Sequence, residues 1–467
     1  MSKAGIAGKI VVTGRLKLLS PLLICSGIMA AGNDMDMQVL KDKAGIPFIP
    51  GTSLAGVLRS FAEEYAPDEY ERLFGSARTT GENIRQSAVS IKDIRLEDTE
   101  ITVRDGVTID PVTGTAVPHH KFDFEAVERG AAGDFRLVIT LRNEHYDEAH
   151  RLQPELQDLL DTLLAKLADG IELGGRTAIG LGRAKVEQLV VDPYDFTSRK
   201  DAAAWLASTG PLPAEHRYPV DKNAGKKPCL PEDFEVEATF TLETSLIVRD
   251  YASEEAKPEP AGDNRQKIAA VSRKSGQDYL IPGSSLKGAM RHRAIYILER
   301  LGRDVRLIEQ MMGTAPGTTD AQEKWKSRLS VDETYIRPEN VVAAEQSRNR
   351  IDRFTGGTID TALFTTKPLW SKGAKSEVRI HFVIHRAQPH EAGLGLCLLK
   401  DLWLGRLTVG GEQSIGRGVL HGLRAVIDYQ GETYTLAEGK SPAEETVIML
   451  DSFVEALADW NGMEDAE

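Results

Sequence analysis

Cysteine is scarce in this chain. Its 467 residues hold three, Cys25, Cys229 and Cys397, far apart and at no metal-ligand spacing. That excludes a disulfide-stapled scaffold and a zinc module, and reads as reduced thiols in a cytoplasmic protein. Long apolar runs are missing too. No stretch approaches the roughly 20 residues that cross a bilayer, so no membrane partner is expected. The chain reaches the strand-like Lys9-Ile10-Val11-Val12 without a signal-peptide core. An excess of positive charge is also lacking: 70 Asp and Glu outnumber 57 Lys and Arg, for a net charge of −13. This argues against a free-standing, non-specific nucleic-acid binder but leaves room for local basic patches. Much of the acid lies outside the motifs described next, as in Glu63-Glu64, Glu254-Glu255 and Glu444-Glu445. Such an exterior also suits a subunit whose other faces meet protein partners.

What is present is a repeat. Ile49-Pro50-Gly51-Thr52-Ser53-Leu54-Ala55-Gly56-Val57-Leu58-Arg59 returns as Ile281-Pro282-Gly283-Ser284-Ser285-Leu286-Lys287-Gly288-Ala289-Met290-Arg291, with seven of eleven positions identical. Ile109-Asp110-Pro111-Val112-Thr113-Gly114 is echoed by Ile351-Asp352-Arg353-Phe354-Thr355-Gly356. Gly174-Gly175-Arg176-Thr177-Ala178-Ile179-Gly180-Leu181-Gly182 is echoed by Gly410-Gly411-Glu412-Gln413-Ser414-Ile415-Gly416-Arg417-Gly418. The chain is one module written twice, which predicts two successive, similar binding sites.

Each half reads in the same order. A strand opens it, over Lys9 to Leu19 and again over Phe234 to Val248. A helix follows the repeated motif, with Leu54, Val57, Leu58, Phe61 and Tyr65 on one face, and Ser53 and Ser285 placed to cap. Strand-like segments come next, Ser87 to Arg95 and Arg328 to Ile336, then a loop with the Ile-Asp motif. The alternating strands Phe135, Leu137, Ile139, Leu141 and Val378, Ile380, Phe382, Ile384 lead to a second helix, marked by the leucine stripe from Leu152 to Leu167. The glycine loop and a last strand close the unit. The fold class is α+β, and the order β-α-β-β-α-β is that of a ferredoxin-like, RRM-like domain. The expected division is a first domain over 1–196, a proline-rich linker over 197–232, a second domain over 233–428 and an appendix over 429–467 with a helix from Val447 to Trp460.

The repeated Gly-[Thr/Ser]-Ser-Leu-x-Gly-x-x-Arg puts hydroxyls and N–H groups at a helix start and an arginine two turns along. Such a start is a ready anion site. It nominates Gly51, Thr52, Ser53 and Arg59, with Gly283, Ser284, Ser285, Lys287 and Arg291 in the second copy. The plainer alternative is a helix cap whose glycines permit tight packing. The glycine loops follow a helix and precede a strand, the reverse of a dinucleotide fingerprint. They read either as loops lining a polyanion, through Gly174, Gly175, Arg176, Gly180 and Gly182 and through Gly410, Gly411, Gly416 and Gly418, or as tight turns.

The opening strand, the Ile-Pro-Gly helix, the segment Leu73-Phe74-Gly75-Ser76 with its counterpart Met311-Met312-Gly313-Thr314, and the glycine loop together resemble the RAMP superfamily of CRISPR-associated proteins. Each half resembles the backbone subunits of type III effector complexes, over roughly 9–190 and 234–425. The tandem arrangement is similar to the double-backbone subunits of type III-D systems. The resemblance implies two tandem ferredoxin-like RAMP domains with thumb-like β-hairpin insertions, bound to crRNA, to complementary single-stranded target RNA and to other CRISPR effector subunits. It places the thumbs around Arg104 to Val127 and Arg348 to Lys367, containing Ile109 and Asp110, and Ile351 and Asp352. It further implies an endoribonuclease carboxylate working with Mg2+ or another divalent cation. The family pattern Asp-x-x-[Val/Ile]-x-[Lys/Arg] is met by Asp36-Met37-Gln38-Val39-Leu40-Lys41, which makes Asp36 the catalytic and metal-binding candidate. The second half departs from that pattern. Its nearest upstream acid is Asp263, and a half that only binds is the weightier expectation. His119-His120 is set aside as a solvated pair. The competing expectations are a non-catalytic guide-RNA scaffold, a pre-crRNA processing endoribonuclease, and a metabolic enzyme for which no cofactor motif is present.

Overall fold

The computed structural model describes residues 5–27, 36–76, 84–110, 116–207, 217, 232–250, 268–314, 324–360 and 362–462. It divides into two compact units, Met1–Thr177 with Leu181–Lys227, and Ala178–Gly180 with Pro228–Glu467. No helix of the described residues is long and apolar enough to cross a membrane.

In the first unit the order is β1 (Ile6–Leu18), α1 (Gly51–Tyr65), β2 (Val89–Ile91), β3 (Ala132–Arg142), α2 (Pro154–Asp169) and β4 (Arg183–Asp195). The sheet runs β2-β3-β1-β4, all antiparallel, with the short strand Ile171–Glu172 outside β4. This is the ferredoxin-like order the repeat predicts. Val12 sits across from Leu137 on one side and Val191 on the other. Leu54, Leu58 and Ala62 of α1, and Leu156, Leu159, Leu160, Leu163, Leu164 and Leu167 of α2, are buried with them. At about 1.5–3 kcal/mol for each fully buried leucine, these stripes are the main force holding the helices on the sheet. The segment read as a linker opens with a further helix, Arg199–Ala207, whose Trp205 meets Tyr194 edge-on at 5.5 Å and lies under the Lys9 ammonium at 4.6 Å.

The second unit repeats the plan with β5 (Phe234–Leu242), α3 (Gly283–Leu301), β6 (Leu329–Val331), β7 (Glu377–Ile384), α4 (Pro389–Trp403) and β8 (Leu420–Tyr429). Its sheet runs β6-β7-β5-β8 and gains a fifth strand, β9 (Glu432–Ala437), beyond β8. Val236, Ala238, Phe240 and Leu242 of β5 and Val378, Ile380, Phe382 and Ile384 of β7 are all buried, as their alternation predicts. The appendix is therefore part of the domain: after β9 the chain forms α5 (Glu444–Asp459), which lies on α4. A side chain at Gly393 would place its Cβ 2.1 Å from the Phe453 carbonyl, and Phe453 in turn meets Tyr429 edge-on at 5.1 Å. Only glycine admits so close a helix–helix approach.

One expectation about the helix starts is corrected. Ser53 and Ser285 do not cap. The caps are Pro50 and Pro282, without side-chain hydrogen bonds, and both serines lie in the first turn. Proline fixes φ near the extended entry geometry and pre-sets the turn into the helix, so no hydroxyl is needed.

On the second sheet, His381 of β7 lies between two carboxylates, with Nδ1 2.8 Å from Asp332 and Nε2 2.8 Å from Glu235. Burial alone would push its pKa down, but the two carboxylates outweigh it and raise the pKa to about 9. Because the folded value exceeds the unfolded one of about 6.5, the stabilisation is complete below that pH and is lost as pH rises through about 9. Urea titrations of the wild type between pH 6 and 10 should therefore show the second unit weakening across this window. In His381→Gln that part of the slope should vanish, and equal slopes in the two proteins would contradict the assignment.

Candidate functional site

In each unit the glycine loop is fastened to the residues that leave the first strand. In the first unit, Gly182 N–H donates to Pro21 O at 2.7 Å and Gly175 N–H to Leu23 O at 2.8 Å. In the second, Gly418 N–H donates to Ser245 O and Gly411 N–H to Ile247 O, both at 2.7 Å. The approach demands glycine. At Gly182 and Gly418, φ is +83° and +76°, and a Cβ would stand 1.9 Å from Leu173 O and from Val409 O. The residue after the first glycine pair is consequently held in the left-handed region, Arg176 at φ +63° and Glu412 at φ +60°.

What that left-handed residue does differs between the units. Arg176 lays its guanidinium over two rings of a hairpin, 4.5 Å from the centroid of Phe122 and 4.7 Å from that of Phe124. Burial lowers its pKa from the ordinary arginine value. The hairpin, Ile101–Ile109 paired with Ala116–Val127, stands as its own two-stranded sheet in the region expected for a thumb. Its base is fixed by a buried ion pair, Arg104 Nη2 to Glu128 Oε1 at 2.8 Å, with Thr102 Oγ1 donating to the same oxygen at 2.6 Å.

Asp36 belongs to the same place. Its loop runs along the hairpin: Glu125 N–H donates to Met37 O at 2.9 Å, and Asp123 N–H donates to Asp36 Oδ2 at 3.0 Å. The rest of the motif acquires a structural meaning. Val39 is buried, its N–H donates to Glu125 Oε2 at 3.0 Å, and the Lys41 ammonium reaches that oxygen at 3.2 Å. Asp36 itself is exposed. The structure thus brings Asp36, the hairpin and the glycine loop of the first unit together. Ile109 is exposed near the hairpin end and Asp110 follows it, while 111–115 lie outside the described residues.

In the second unit Glu412 is nearly buried and gathers three guanidiniums: Arg348 at 2.5 Å, Arg417 at 2.8 Å and Arg249 at 3.2 Å. Burial opposes its ionisation, but the hydrogen bonds from Arg417 and Arg348 prevail and hold its pKa below the usual glutamate value. Arg417 also donates to Ser245 Oγ at 2.7 Å and to Gln346, and Arg348 lies over the Phe364 ring at 4.9 Å. The strands Gln346–Arg348 and Phe364–Lys367 pair as the base of the second thumb region. Beyond them the chain closes a tight turn. Asp352 Oδ1 accepts from the N–H groups of Phe354 and Thr355 at 2.9 and 2.8 Å, and Ile351 bridges Thr358. These bonds depress the Asp352 pKa and leave Phe354 at the tip, 99% exposed.

The place of Asp36 is taken differently here. At the same spacing before its Ile-Pro-Gly turn the second unit has Ile268, in a strand that runs parallel to Phe364–Lys367 much as Met37 runs along Phe124. The main-chain role is kept and the carboxylate is not. Asp263 lies outside the described residues.

The cations of the helix motif have internal partners. Arg59 reaches Phe74 O at 3.5 Å and Arg291 reaches Gly313 O at 2.9 Å, each holding the end of the following short helix. Lys287 donates to Ser327 Oγ at 2.6 Å and Leu329 O at 2.9 Å, and burial pushes its pKa down to about 8. In the first copy Gly51 N–H is taken by Asp93 Oδ1 at 2.8 Å. Thr52 and Ser284 are exposed at the helix starts, and Gly180 and Gly416 lie in short turns of the loops with positive φ. Sequence reasoning missed Phe122, Phe124, Arg249, Arg348 and Phe354. The Phe-x-Phe alternation of the hairpin strand was the available signal for the first pair, because alternate residues share a face.

A family model described as the RAMP superfamily matches residues 15–185 and 239–421, one copy in each unit. A search of curated proteins gives no match. The chain belongs to the RAMP superfamily, and with it to the CRISPR-associated RNA-binding subunits.

Removing the carboxylate of Glu412 leaves three guanidiniums without their common anion. Glu412→Ala should destabilise the second unit by about 3 kcal/mol or more. Chemical denaturation checks this, and an unchanged midpoint would show that the arginines are solvated rather than tied to Glu412.

Proposed function

With RAMP membership as the premise, we propose that this chain is a crRNA-binding backbone subunit of a type III CRISPR effector complex and that its first unit cleaves the complementary target RNA. The convergence of the Asp36 loop, the aromatic hairpin and Arg176 is the observation that carries this reading. Arg176 packs over the half-buried Phe122 and the buried Phe124, which fixes the hairpin against the glycine loop beside the exposed Asp36, and the hairpin then stands where it can separate successive bases. In the second unit Phe354, exposed on a turn held by Asp352, serves as an apolar wedge between bases. The guanidiniums of Arg249 and Arg348, held at Glu412, stand at the foot of that thumb, where cations contact the RNA backbone. Lys287 and Arg291 act chiefly by shaping the unit, through hydrogen bonds made inside it, whereas Arg59 bonds Phe74 O through Nη1 and keeps a buried Nη2 without a partner among the described residues.

Cleavage asks little of the protein. With the target nucleotide splayed by the hairpin, its 2′-hydroxyl attacks the adjacent phosphorus, the bond from phosphorus to the 5′ oxygen breaks, and Asp36 takes the proton from the attacking oxygen. A 2′,3′-cyclic phosphate and a 5′-hydroxyl result, the leaving oxygen being protonated by solvent. Holding the groups in line supplies much of the rate. The exposed, oxygen-only donor of Asp36 suits a hard ion, and Mg2+ or another divalent cation held there would neutralise charge on the phosphate. The second unit, with Ile268 in the corresponding place, binds without cutting.

Asp36→Ala should reduce the cut opposite the first unit by about 100-fold or more while leaving target binding intact, measured on an assembled complex with a defined guide. Every cut surviving would make the chain a scaffold. Phe354→Ala should weaken guide binding by about 1–3 kcal/mol in filter-binding titrations at fixed salt. An unchanged affinity would take the second tip off the RNA path.

A further inference from the structure

The two glycine loops share a backbone and differ in their surroundings. Gly180 and Gly416 hold equivalent positions in the repeat, with φ of +85° and +82°. Gly180 is buried, and its turn, Ala178–Gly180, belongs to the second unit. Within that unit a Cβ at Gly180 would stand 2.5 Å from Glu333 N, and one at Gly283 would stand 2.3 Å from Ile179 O. The Lys287 ammonium donates to Ala178 O at 3.3 Å. The start of α3 and the peptide at Glu333 thus form a seat for a glycine-loop turn, at a distance that only glycine admits. The counterpart turn, 413–416, is exposed throughout, with Ile415 at 52%. A Cβ at Gly416 would meet no atom within 4 Å among the described residues.

The first unit carries a matching seat. The start of α1 repeats the Ile-Pro-Gly turn, and Ile91 O stands 2.1 Å from an ideal Cβ at Gly51, as Val331 O stands 2.3 Å from one at Gly283. Ser87 Oγ donates to Val89 O at 3.0 Å, as Ser327 Oγ donates to Leu329 O at 2.8 Å. Here, however, Lys92 and Asp93 are exposed, whereas Glu333 is buried. One residue differs in kind: Ala55 stands at the place of Lys287.

We propose that the turn 413–416 of one copy of this chain docks on the start of α1 in a second copy, as Ala178–Gly180 packs on the start of α3. The occupant is a second copy because each chain carries one open turn and one open seat of the same design. The contact is heterologous, the turn of one copy meeting the seat of the next, so it repeats head to tail. Ala55 sets its strength. Without an ammonium to meet a carbonyl of the turn, the seat at α1 grips less firmly than the one at α3.

The test is analytical ultracentrifugation of the full chain, freed of nucleic acid, over a range of concentrations at fixed salt. Ala55→Lys supplies the missing ammonium, which Ser87 Oγ and Val89 O are placed to receive. It should tighten association by about tenfold, the effect of one hydrogen bond from a charged donor. Gly416→Asn keeps the turn, because asparagine tolerates left-handed backbone and the space around Gly416 is open. Its side chain would meet the Lys92–Asp93 peptide on docking, so it should abolish association in the wild type and cancel the gain of Ala55→Lys. Ile415→Asp, at an exposed position, should weaken association without changing the thermal midpoint. Failure of both the wild type and Ala55→Lys to associate would overturn the proposal. So would association that Gly416→Asn and Ile415→Asp leave unchanged, since the copies would then meet through another surface.

Discussion

Two main-chain hydrogen bonds in each unit fix the glycine loop to the exit of the first strand, and the rest of the site depends on them. They are made by Gly175 and Gly182 to Leu23 and Pro21, and by Gly411 and Gly418 to Ile247 and Ser245. The bonds are available only because the loop backbone approaches within the space a Cβ would fill. The same pinning forces Arg176 and Glu412 into left-handed backbone and so determines where their side chains go. One backbone device, used twice, delivers opposite charges to equivalent places.

That inversion separates the two units chemically. Arg176 joins a surface of rings beside an exposed carboxylate, and Glu412 neutralises part of an arginine cluster whose partners include the strand Gln346–Arg348. Duplication preserved the scaffold and the hydrogen-bonded skeleton, while Ile268 stands where Asp36 would be. The first unit thus sets an exposed carboxylate beside its hairpin, and the second an arginine cluster around a carboxylate.

The fold was legible because its signals are local and periodic. Alternation in β5 and β7 and the leucine stripe of α2 state which face is buried, and the repeat supplies the topology twice over. The strand β9 was missed although Tyr434 and Leu436 alternate with Thr433 and Thr435 just past Gly431; six residues at the end of a repeat that has no such strand in its first copy were passed over. Of the candidate site, the glycine loops could be read from their repetition, and Asp36 came only from the family pattern that it matches. The inward turn of Arg59, Arg291 and Lys287 could not, because a cation near a helix start looks the same whether its acceptor is a phosphate or a carbonyl of a distant segment of the chain. Phe354 escaped notice for a related reason. One phenylalanine in a loop carries no period, and only the turn built on Asp352 shows that it points outward.

The central claim is that RNA lies against the surface built where strand exit, glycine loop and hairpin meet. The most direct test is photocrosslinking of the full chain to guide RNA carrying 4-thiouridine, followed by peptide mapping. The account predicts adducts on the hairpin strand bearing Phe122 and Phe124 and on the turn bearing Phe354. Adducts confined to α5 or to the outer helices, with none on either hairpin region, would contradict it.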